Sequence, residues 1–580
     1  MSVEMDYLRI MRVKRGPVMT TGLTDDVIAR FLISDTRLSS AILEAFKAWK
    51  LLDPATTYEM SECDLIESIY SGWCNFYTKD SRNPFVPLAA LGPWIVTTHG
   101  AIIHDDGGYG MLGLGHNPPT VLEALAKPQV MANIMTPSLY QRELVTLLRA
   151  EIGHTRSSCP YAEFLMMNSG SEGNSVADRI IDVHTGHNRG DREKVIGISL
   201  VGSFHGRTFK PAVWTDSNAA KYSESKCDAL SKYKASYSRT VPVNDCDALS
   251  EAFVKAKEAN EYIEAVFMEA VMGEGRPGQP INPDFYELAR KLTIEHNSLL
   301  LVDSVQAGFR CQGCLSIMDY PGFTTLAAPD FEVFSKALNA GQYPLSVVAL
   351  STHASQFYRQ GIYGNTMTAN PRACAVACQV LRQVPSLRKN IVAAGLEALH
   401  KLNQLKLKFP GAITAVTGTG LLYALHLDKK LFPVVAVDGV EFWLRTQGLG
   451  VVHGGENALR FTPHFSITSE EIDLQVSMVE QFLLRAPAAL ENLSASSTSG
   501  KFESSLKLRG HLFDTNLVND ALHIVETFAA LAKFENLRLG ATKADETELT
   551  LVFSAPKVDA VADLENTLRQ LAISRNCFCY

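Results

Sequence analysis

The sequence predicts an α/β protein whose main sheet is mostly parallel, followed by a small α+β unit. Within residues 150–380, short apolar runs of strand length alternate with helix-like stretches, which is the element order of a sheet covered by helices. The runs are apolar almost throughout, as is typical of strands with helices on both faces. They span residues 195–200, 265–269, 299–302 and 347–350.

The composition excludes several classes of protein. The chain has 580 residues, of which 46% are hydrophobic, so we expect two or more folding units and a sizeable core. Its 54 Lys and Arg against 62 Asp and Glu give a formal net charge of −8, and a nucleic-acid partner is therefore not expected. No apolar run approaches the ~20 residues of a membrane-spanning helix, so a membrane partner is not expected either.

The N-terminus and the cysteines predict the compartment. Residues 1–18 lack the continuous apolar stretch of a secretory signal. The 11 cysteines are odd in number and scattered, as in a reducing compartment. We expect a soluble, cytoplasmic protein, with the mitochondrion as the alternative. Cys311 and Cys314 have no second pair at zinc-ribbon spacing, so no metal site is expected.

Changes in pattern divide the chain into four segments. Residues 1–92 are predicted to be a mostly helical extension, and residues 93–485 hold the α/β pattern. Residues 486–500 are small and polar, which is typical of a linker. Residues 501–580 combine alternating strand patterns with helix-like stretches, one of them at 516–531, and are predicted to form a small α+β domain.

Two charged residues stand at the ends of apolar strands. Asp303 follows residues 299–302, where a carboxylate needs a cationic partner such as a protonated pyridine nitrogen. Lys336 follows residues 331–335, and a desolvated amine beside a loop suits a Schiff base. Taken singly, an aspartate at the end of a strand more often caps a helix, and a lysine there is more often solvated.

Three further motifs are also ambiguous one at a time. Residues 168–174 place small residues before a helix-like stretch, where free N–H groups can hold a phosphate or a serine can simply cap the helix. Residues 204–208 combine an aromatic ring, a glycine and a guanidinium. Residues 269–275 follow another apolar strand.

Taken in order, the motifs resemble the class III, fold-type I pyridoxal-phosphate (PLP) aminotransferases, the group of the ornithine, acetylornithine, lysine and 4-aminobutyrate enzymes. The resemblance covers about residues 93–485. Its motifs lie at 168–174, 204–208, 269–275, 299–306, 331–341, 364–371 and 459–463.

This resemblance implies a cofactor site for PLP. Lys336 is expected to hold the cofactor as a Schiff base and then to move the substrate proton. Asp303 is expected to keep the pyridine nitrogen protonated. The remaining cofactor contacts implied are Val305 under the ring, Gln306 at its phenolic oxygen, Phe204 on its other face, and Gly170, Ser171 and Thr366 at the phosphate.

The resemblance also implies partners and substrates. Thr366 is expected to reach the phosphate of a neighbouring subunit, so a homodimer with shared active sites follows. Arg207 is expected to bind a substrate carboxylate. Glu274 and Arg460 are expected to form an ion pair that opens, so that Arg460 can take the second carboxylate of glutamate.

Several departures from the family pattern bear on the substrate. Ser304 stands where the family usually has glutamate, and Asn339 and Ala340 replace the usual glycines.

The C-terminal segment has a resemblance of its own. Residues 508–514 and 517–522 resemble the small domain associated with lysine-ketoglutarate reductase/saccharopine dehydrogenase proteins. That resemblance favours a basic amino donor and makes His511 and Asp514 candidate ligand-site residues, with a purely structural role for His511 as the alternative.

The sequence therefore predicts an aminotransferase that moves an amino group from ornithine or lysine to 2-oxoglutarate. Two alternatives remain open. One is a PLP-dependent racemase or epimerase on the same scaffold, and the other is a non-catalytic regulatory protein with a ligand-sensing tail.

Overall fold

The structure is a computed structural model with two compact units, Met1–Phe482 and Leu483–Tyr580. It describes residues 2–498 except 132, 133 and 437. In the remainder it describes 502–510, 512, 517–527, 531–538, 547–555, 564–565, 567–569, 571–572, 575 and 577–579. Among these residues, no helix is both long enough and apolar enough to cross a membrane.

The first unit begins with helices that pack against a small sheet. The elements are α1 (Val3–Val13), α2 (Asp25–Ser34), α3 (Thr36–Trp49), α4 (Glu62–Tyr70), β1 (Pro87–Leu91), β2 (Trp94–Thr97) and β3 (Ile102–Asp105). Helix α3 buries Leu38, Ile42 and Ala45 at the spacing of one helix face and contacts β1 and β2. The segment predicted to be helical up to residue 92 thus ends in a strand, since Pro87–Leu91 pairs with β2.

A seven-stranded sheet forms the centre of the first unit. Its elements in chain order, with the helices between them, are α5 (Pro119–Ala126), α6 (Leu139–Glu151), β4 (Glu163–Met167), α7 (Gly170–Asn188), β5 (Val195–Leu200), α8 (Phe209–Trp214), α9 (Ala219–Glu224), α10 (Asp228–Tyr237), β6 (Ser238–Val241), α11 (Cys246–Glu258), β7 (Tyr262–Glu269), α12 (Pro283–Glu295), β8 (Leu299–Asp303), β9 (Phe331–Phe334), β10 (Ser346–Leu350) and α13 (Thr352–Ser355).

The strand order of this sheet is β4-β10-β9-β8-β7-β5-β6. Strands β5 to β9 pair in parallel, whereas β10 runs antiparallel to both β4 and β9. Every residue of β7 and β8 is buried, because apolar clusters fill both faces. The predicted mostly parallel α/β sheet is confirmed, and the carboxyl ends of its parallel strands lie at one edge.

The rest of the first unit is a long helix and a four-stranded antiparallel sheet of order β11-β12-β15-β14. The elements are α14 (Pro371–Lys408), β11 (Ile413–Thr419), β12 (Leu422–Leu427), α15 (Val440–Thr446), β13 (Leu449–Gly450), β14 (Val452–Gly454), β15 (Ala458–Phe461) and the first half of α16 (Ser469–Thr498), whose second half belongs to the second unit. Strand β13 joins β3 in the N-terminal sheet. Helix α16 covers most of the segment predicted to be a linker.

The second unit is an antiparallel sheet with helix on one face. Its elements are β16 (Phe502–Gly510), α17 (Leu517–Thr527), β17 (Leu531–Arg538), β18 (Thr547–Ala555) and β19 (Phe578–Cys579), in the order β17-β18-β16-β19. Leu506 and Leu508 pair with Leu551 and Leu549 and share a core with α17. The helix predicted over 516–531 ends earlier, because Leu531 pairs with Ser554 of β18.

Candidate active site

Asp303 is the last residue of β8 and is almost completely buried. Its Oδ1 accepts a hydrogen bond from the Val305 backbone N–H (3.0 Å). Its Oδ2 accepts one from Asn174 Nδ2 (2.8 Å) and lies 3.1 Å from His205 Nδ1. A buried carboxylate requires such partners, and they fix the orientation of Asp303 at the carboxyl edge of the sheet.

Lys336 lies just beyond β9, where the chain enters a short 3₁₀ turn, Lys336–Asn339. Its φ of 45° is in the left-handed region, which non-glycine residues seldom adopt. Its Nζ donates a hydrogen bond to Gln306 Oε1. Burial, followed by the charge of Arg460, lowers the pKa of Lys336 to about 8, so at neutral pH about a tenth of this amine is unprotonated and nucleophilic, far more than for an ordinary lysine.

The start of α7 forms the third side of the site. Ser169 caps this helix, because its hydroxyl accepts a hydrogen bond from the Glu172 N–H (3.3 Å). Gly170 and Ser171 are the first two helical residues, where backbone N–H groups have no intrahelical acceptor and attract anions. A Cβ on Gly170 would lie 2.9 Å from Val305 Cγ2, so glycine permits the close contact with Val305.

These groups line one cavity of about 580 Å³. Among the predicted site residues, the cavity lining includes Gly170, Ser171, Phe204, Arg207, Glu274, Asp303, Val305, Gln306, Lys336 and Arg460. Thr366 is not among them; it lies exposed in the loop before α14.

The donors and acceptors in the cavity fit PLP. Gln306 Nε2 is buried and has no hydrogen-bond partner among the described residues, so an amide donor is available to an oxygen atom of a ligand. Asp303, Lys336 and the start of α7 offer a carboxylate, an amine and an anion site. This set matches the pyridine nitrogen, aldehyde and phosphate of that cofactor.

The far side of the cavity holds an ion pair. Arg460 Nη1 lies 3.1 Å from Glu274 Oε2 and donates a hydrogen bond to the Gly273 carbonyl (2.5 Å). Burial raises the pKa of Glu274, but the charges of Arg460, His453, Lys336 and Arg207 together outweigh burial, so the net pKa is lowered. Arg460 Nε and Nη2 are buried without a hydrogen-bond partner in the described part of the chain, so the arginine can accept a further anionic group.

Sequence reasoning missed several residues of the cavity. Burial, followed by the Asp303 charge, raises the pKa of Glu269 to about 8, although this carboxylate accepts backbone hydrogen bonds from Phe204 and Gly273 (both 2.9 Å). Glu269 ends β7 as Asp303 ends β8, so the same signal could have identified it. Tyr77 and Tyr109 also line the cavity, but no motif pointed to them.

A second group of titratable residues lies outside the cavity. Donor atoms of His104, His464 and Glu471 lie within 4.8 Å of one another, a set not foreseen when no metal was expected. Asp106 also faces His104, at 2.8 Å. Burial lowers the pKa of His104, but the neighbouring Asp106 and Glu471 carboxylates raise it to about 10. An imidazolium between two carboxylates therefore accounts for the contacts of His104 in this cluster.

Comparison with known proteins agrees with the geometry. Acetylornithine aminotransferase of Nostoc sp. is 28% identical over 380 residues, covering 65% of this chain and 83% of that protein. Ornithine aminotransferase 2 of Staphylococcus aureus is 28% identical over 403 residues, covering 68% of this chain and 93% of that protein. The solved ornithine aminotransferase of Toxoplasma gondii has the same fold, with a TM-score of 0.61 at 23% identity over 75% of this chain and 96% of that one.

The family match itself spans most of the chain. The family described as aminotransferase class-III matches residues 76–483, which includes the seven-stranded sheet and all the lining residues discussed above. The chain belongs to the class-III aminotransferases, the fold-type I enzymes that use PLP as their cofactor.

Proposed function

We propose that the chain transfers the side-chain amino group of ornithine, or of a closely related basic amino acid, to 2-oxoglutarate. The observation that carries the proposal is the placement of Lys336, Asp303 and two arginines around one cavity. The named relatives are acetylornithine and ornithine aminotransferases, which favours an ornithine-type donor over lysine.

The residues divide the chemistry between them. When bound, PLP supplies the electron-withdrawing ring that stabilises charge on the substrate carbon. Asp303, oriented by Asn174 and His205, would hold a proton on the pyridine nitrogen. Lys336 Nζ, whose pKa is lowered to about 8, would take a proton from the substrate carbon and return it. Gln306 would anchor the phenolic oxygen.

The ion pair gives one site two substrate preferences. While Arg460 is paired with Glu274 at 3.1 Å, its charge is balanced, and a donor with a cationic side chain meets no net repulsion there. When the pair opens, Arg460 can bind the second carboxylate of a dicarboxylic acceptor, the one beside the reacting carbonyl carbon. Arg207 would bind the carboxylate that donor and acceptor have in common.

Steady-state kinetics of the PLP-loaded protein test this proposal. We expect glutamate to form from 2-oxoglutarate with L-ornithine, and more slowly with L-lysine or N-acetyl-L-ornithine. Lys336→Ala should abolish turnover, whereas Lys257→Ala, on the exposed face of α11, should not. Acceptor-independent inversion of the amino acid would instead indicate a racemase, and absence of both reactions with bound cofactor would indicate a regulatory protein.

The proposal includes a homodimer with shared sites. Thr366 lies in an exposed loop and does not line the cavity of its own chain. Exposed large apolar side chains also favour a partner, namely Val130, Met131, Met135 and Leu139 in one segment and Met367 beside Thr366. Mixing inactive Lys336→Ala and Thr366→Ala chains should restore activity, because each mixed dimer contains one intact site.

We further propose that the second unit has a structural rather than a sensing role. Its leucines Leu506, Leu508, Leu549 and Leu551 cover one face of the sheet with α17, and Phe534 on β17 remains 42% exposed. His511 and Asp514, the candidate ligand residues, lie outside the described residues. Deletion after Pro487 should lower the melting temperature or weaken dimerisation. It should leave the way the reaction rate depends on basic amino acids unchanged, whereas loss of a sensor would change that dependence.

A further inference from the structure

Arg207 is held between two aromatic rings. Its guanidinium carbon lies 4.4 Å from the centroid of the Phe76 ring and 5.0 Å from that of the Phe204 ring. Phe204 belongs to the cofactor cavity, but Phe76 comes from the segment between α4 and β1. The side chain of Phe76 is 64% exposed, so core packing does not explain its position.

The guanidinium itself is available to a ligand. Arg207 is exposed at the cavity mouth, and its backbone N–H is fixed by Ser171 Oγ (3.4 Å). Among the described residues, its side chain has ring contacts but neither a salt bridge nor a side-chain hydrogen bond. Rings can therefore restrain the arginine while its N–H groups remain free for a carboxylate.

The segment that carries Phe76 is itself anchored at the cavity. The Tyr77 N–H donates a hydrogen bond to Asn75 Oδ1 (2.8 Å), and the Tyr77 ring stacks 6.1 Å from the Tyr109 ring inside the cavity. Phe76 packs edge-on against Tyr77 at 4.9 Å. The Phe76 ring is thus attached directly to a residue, Tyr77, that lines the cavity.

We propose that Phe76 is a positioning residue for carboxylate recognition: together with Phe204 it clamps the Arg207 guanidinium in the geometry that binds the substrate carboxylate. The inference rests on the proposed role of Arg207. An unrestrained arginine loses rotamer freedom when it is fixed, and the clamp removes part of that loss before the substrate arrives.

Direct binding of a simple carboxylate tests the clamp. The probe is pentanoate, which has one carboxylate and no amine, titrated calorimetrically into the PLP-loaded protein. Each exposed cation–π contact is worth about 0.5–1 kcal/mol, so Phe76→Leu should raise the Kd of pentanoate about two- to fivefold. The KM of L-ornithine should rise in parallel, with kcat unchanged.

Matched variants separate the clamp from a general structural effect. Phe76→Tyr keeps a ring and should retain the wild-type Kd. Trp73→Leu changes an exposed aromatic residue of the same segment, 71% exposed, and should also leave the Kd unchanged. In an Arg207→Gln background, Phe76→Leu should have no further effect on pentanoate binding.

Two failures can be told apart. If Arg207→Gln leaves pentanoate binding unchanged, Arg207 is not the carboxylate ligand and the proposed function of this residue fails. If Arg207→Gln weakens binding but Phe76→Leu does not, or if Phe76→Leu weakens it equally without Arg207, the clamp is refuted while the role of Arg207 stands.

Discussion

Replacing Glu332 by leucine should weaken the fold directly beside the cofactor aspartate. Glu332 is completely buried on β9. Its oxygens accept four hydrogen bonds, from Ser304 Oγ (2.6 Å), Tyr161 OH (2.6 Å), Ser316 Oγ (2.5 Å) and the Ile317 N–H (2.8 Å). Because Ser304 follows Asp303, this network holds the strand end that carries the cofactor carboxylate.

The size of the effect follows from the donors left behind. Each buried donor without an acceptor costs about 1–3 kcal/mol. The three hydroxyl groups can rotate toward other acceptors, but the Ile317 N–H cannot. We expect Glu332→Leu to lower the unfolding free energy by about 3–5 kcal/mol, because the stranded Ile317 N–H costs about 1–3 kcal/mol and the three hydroxyl groups each lose part of a hydrogen bond to a charged acceptor. That is a large share of the ~5–15 kcal/mol typical of a folded domain.

Urea denaturation of the apoprotein, followed by circular dichroism, measures this loss. Glu332→Gln keeps a hydrogen-bond acceptor at this position, so its unfolding free energy should fall much less than that of Glu332→Leu. Glu287→Leu, at an exposed position of α12, makes the same kind of change on the surface and controls for the substitution itself. Equal midpoints for Glu332→Leu and Glu287→Leu would refute the reasoning.

Three further predictions concern cofactor loading and pH. Because the pKa of Lys336 is lowered to about 8, covalent loading of the apoprotein with PLP should accelerate as pH rises and level off above about pH 8; a loading rate that is flat from about pH 7 to about pH 9 would contradict this. Gly206 has a φ of 122°, and a Cβ there would lie 2.4 Å from Ser171 Oγ, so Gly206→Ala should weaken PLP binding about tenfold or more, whereas Gly186→Ala, with open space around it, should not; equal affinities in equilibrium dialysis would count against the phosphate site. The pKa of His104 is raised from 6.5 to about 10 in the folded protein, so its stabilising contribution is complete below about pH 6.5 and is lost as pH rises through 10. The unfolding free energy of His104→Gln should therefore depend less on pH over this window. An unchanged pH dependence would contradict the charged state assigned to His104.

The apolar runs were sufficient to predict the parallel core. Residues 195–200 and 299–302 became β5 and most of β8 because a fully buried strand has no polar alternation. Asp303 and Lys336 could be paired because Asp303 ends β8 and Lys336 follows β9, and the carboxyl ends of these parallel strands lie at the same edge of the sheet. The antiparallel direction of β10 was not predicted, because the apolar pattern of a strand does not depend on the direction in which the strand runs.

The missed residues depend on contacts between distant parts of the chain. Phe76 meets Arg207, and Asn174 meets Asp303, only once the sheet has formed. Nothing in the local sequence around Phe76 distinguishes it from other aromatic residues of the N-terminal segment, such as the exposed Trp73. Their roles follow from tertiary geometry and not from motif or periodicity.

The most direct test of the account is to map the lysine that carries the cofactor. The PLP-loaded protein is reduced with borohydride, which makes the link to the lysine permanent, and its peptides are sequenced by mass spectrometry. The account predicts the pyridoxyl group on Lys336 alone, and no labelled peptide from Lys336→Ala. A label on another lysine, or PLP that binds stoichiometrically without labelling Lys336, would contradict it.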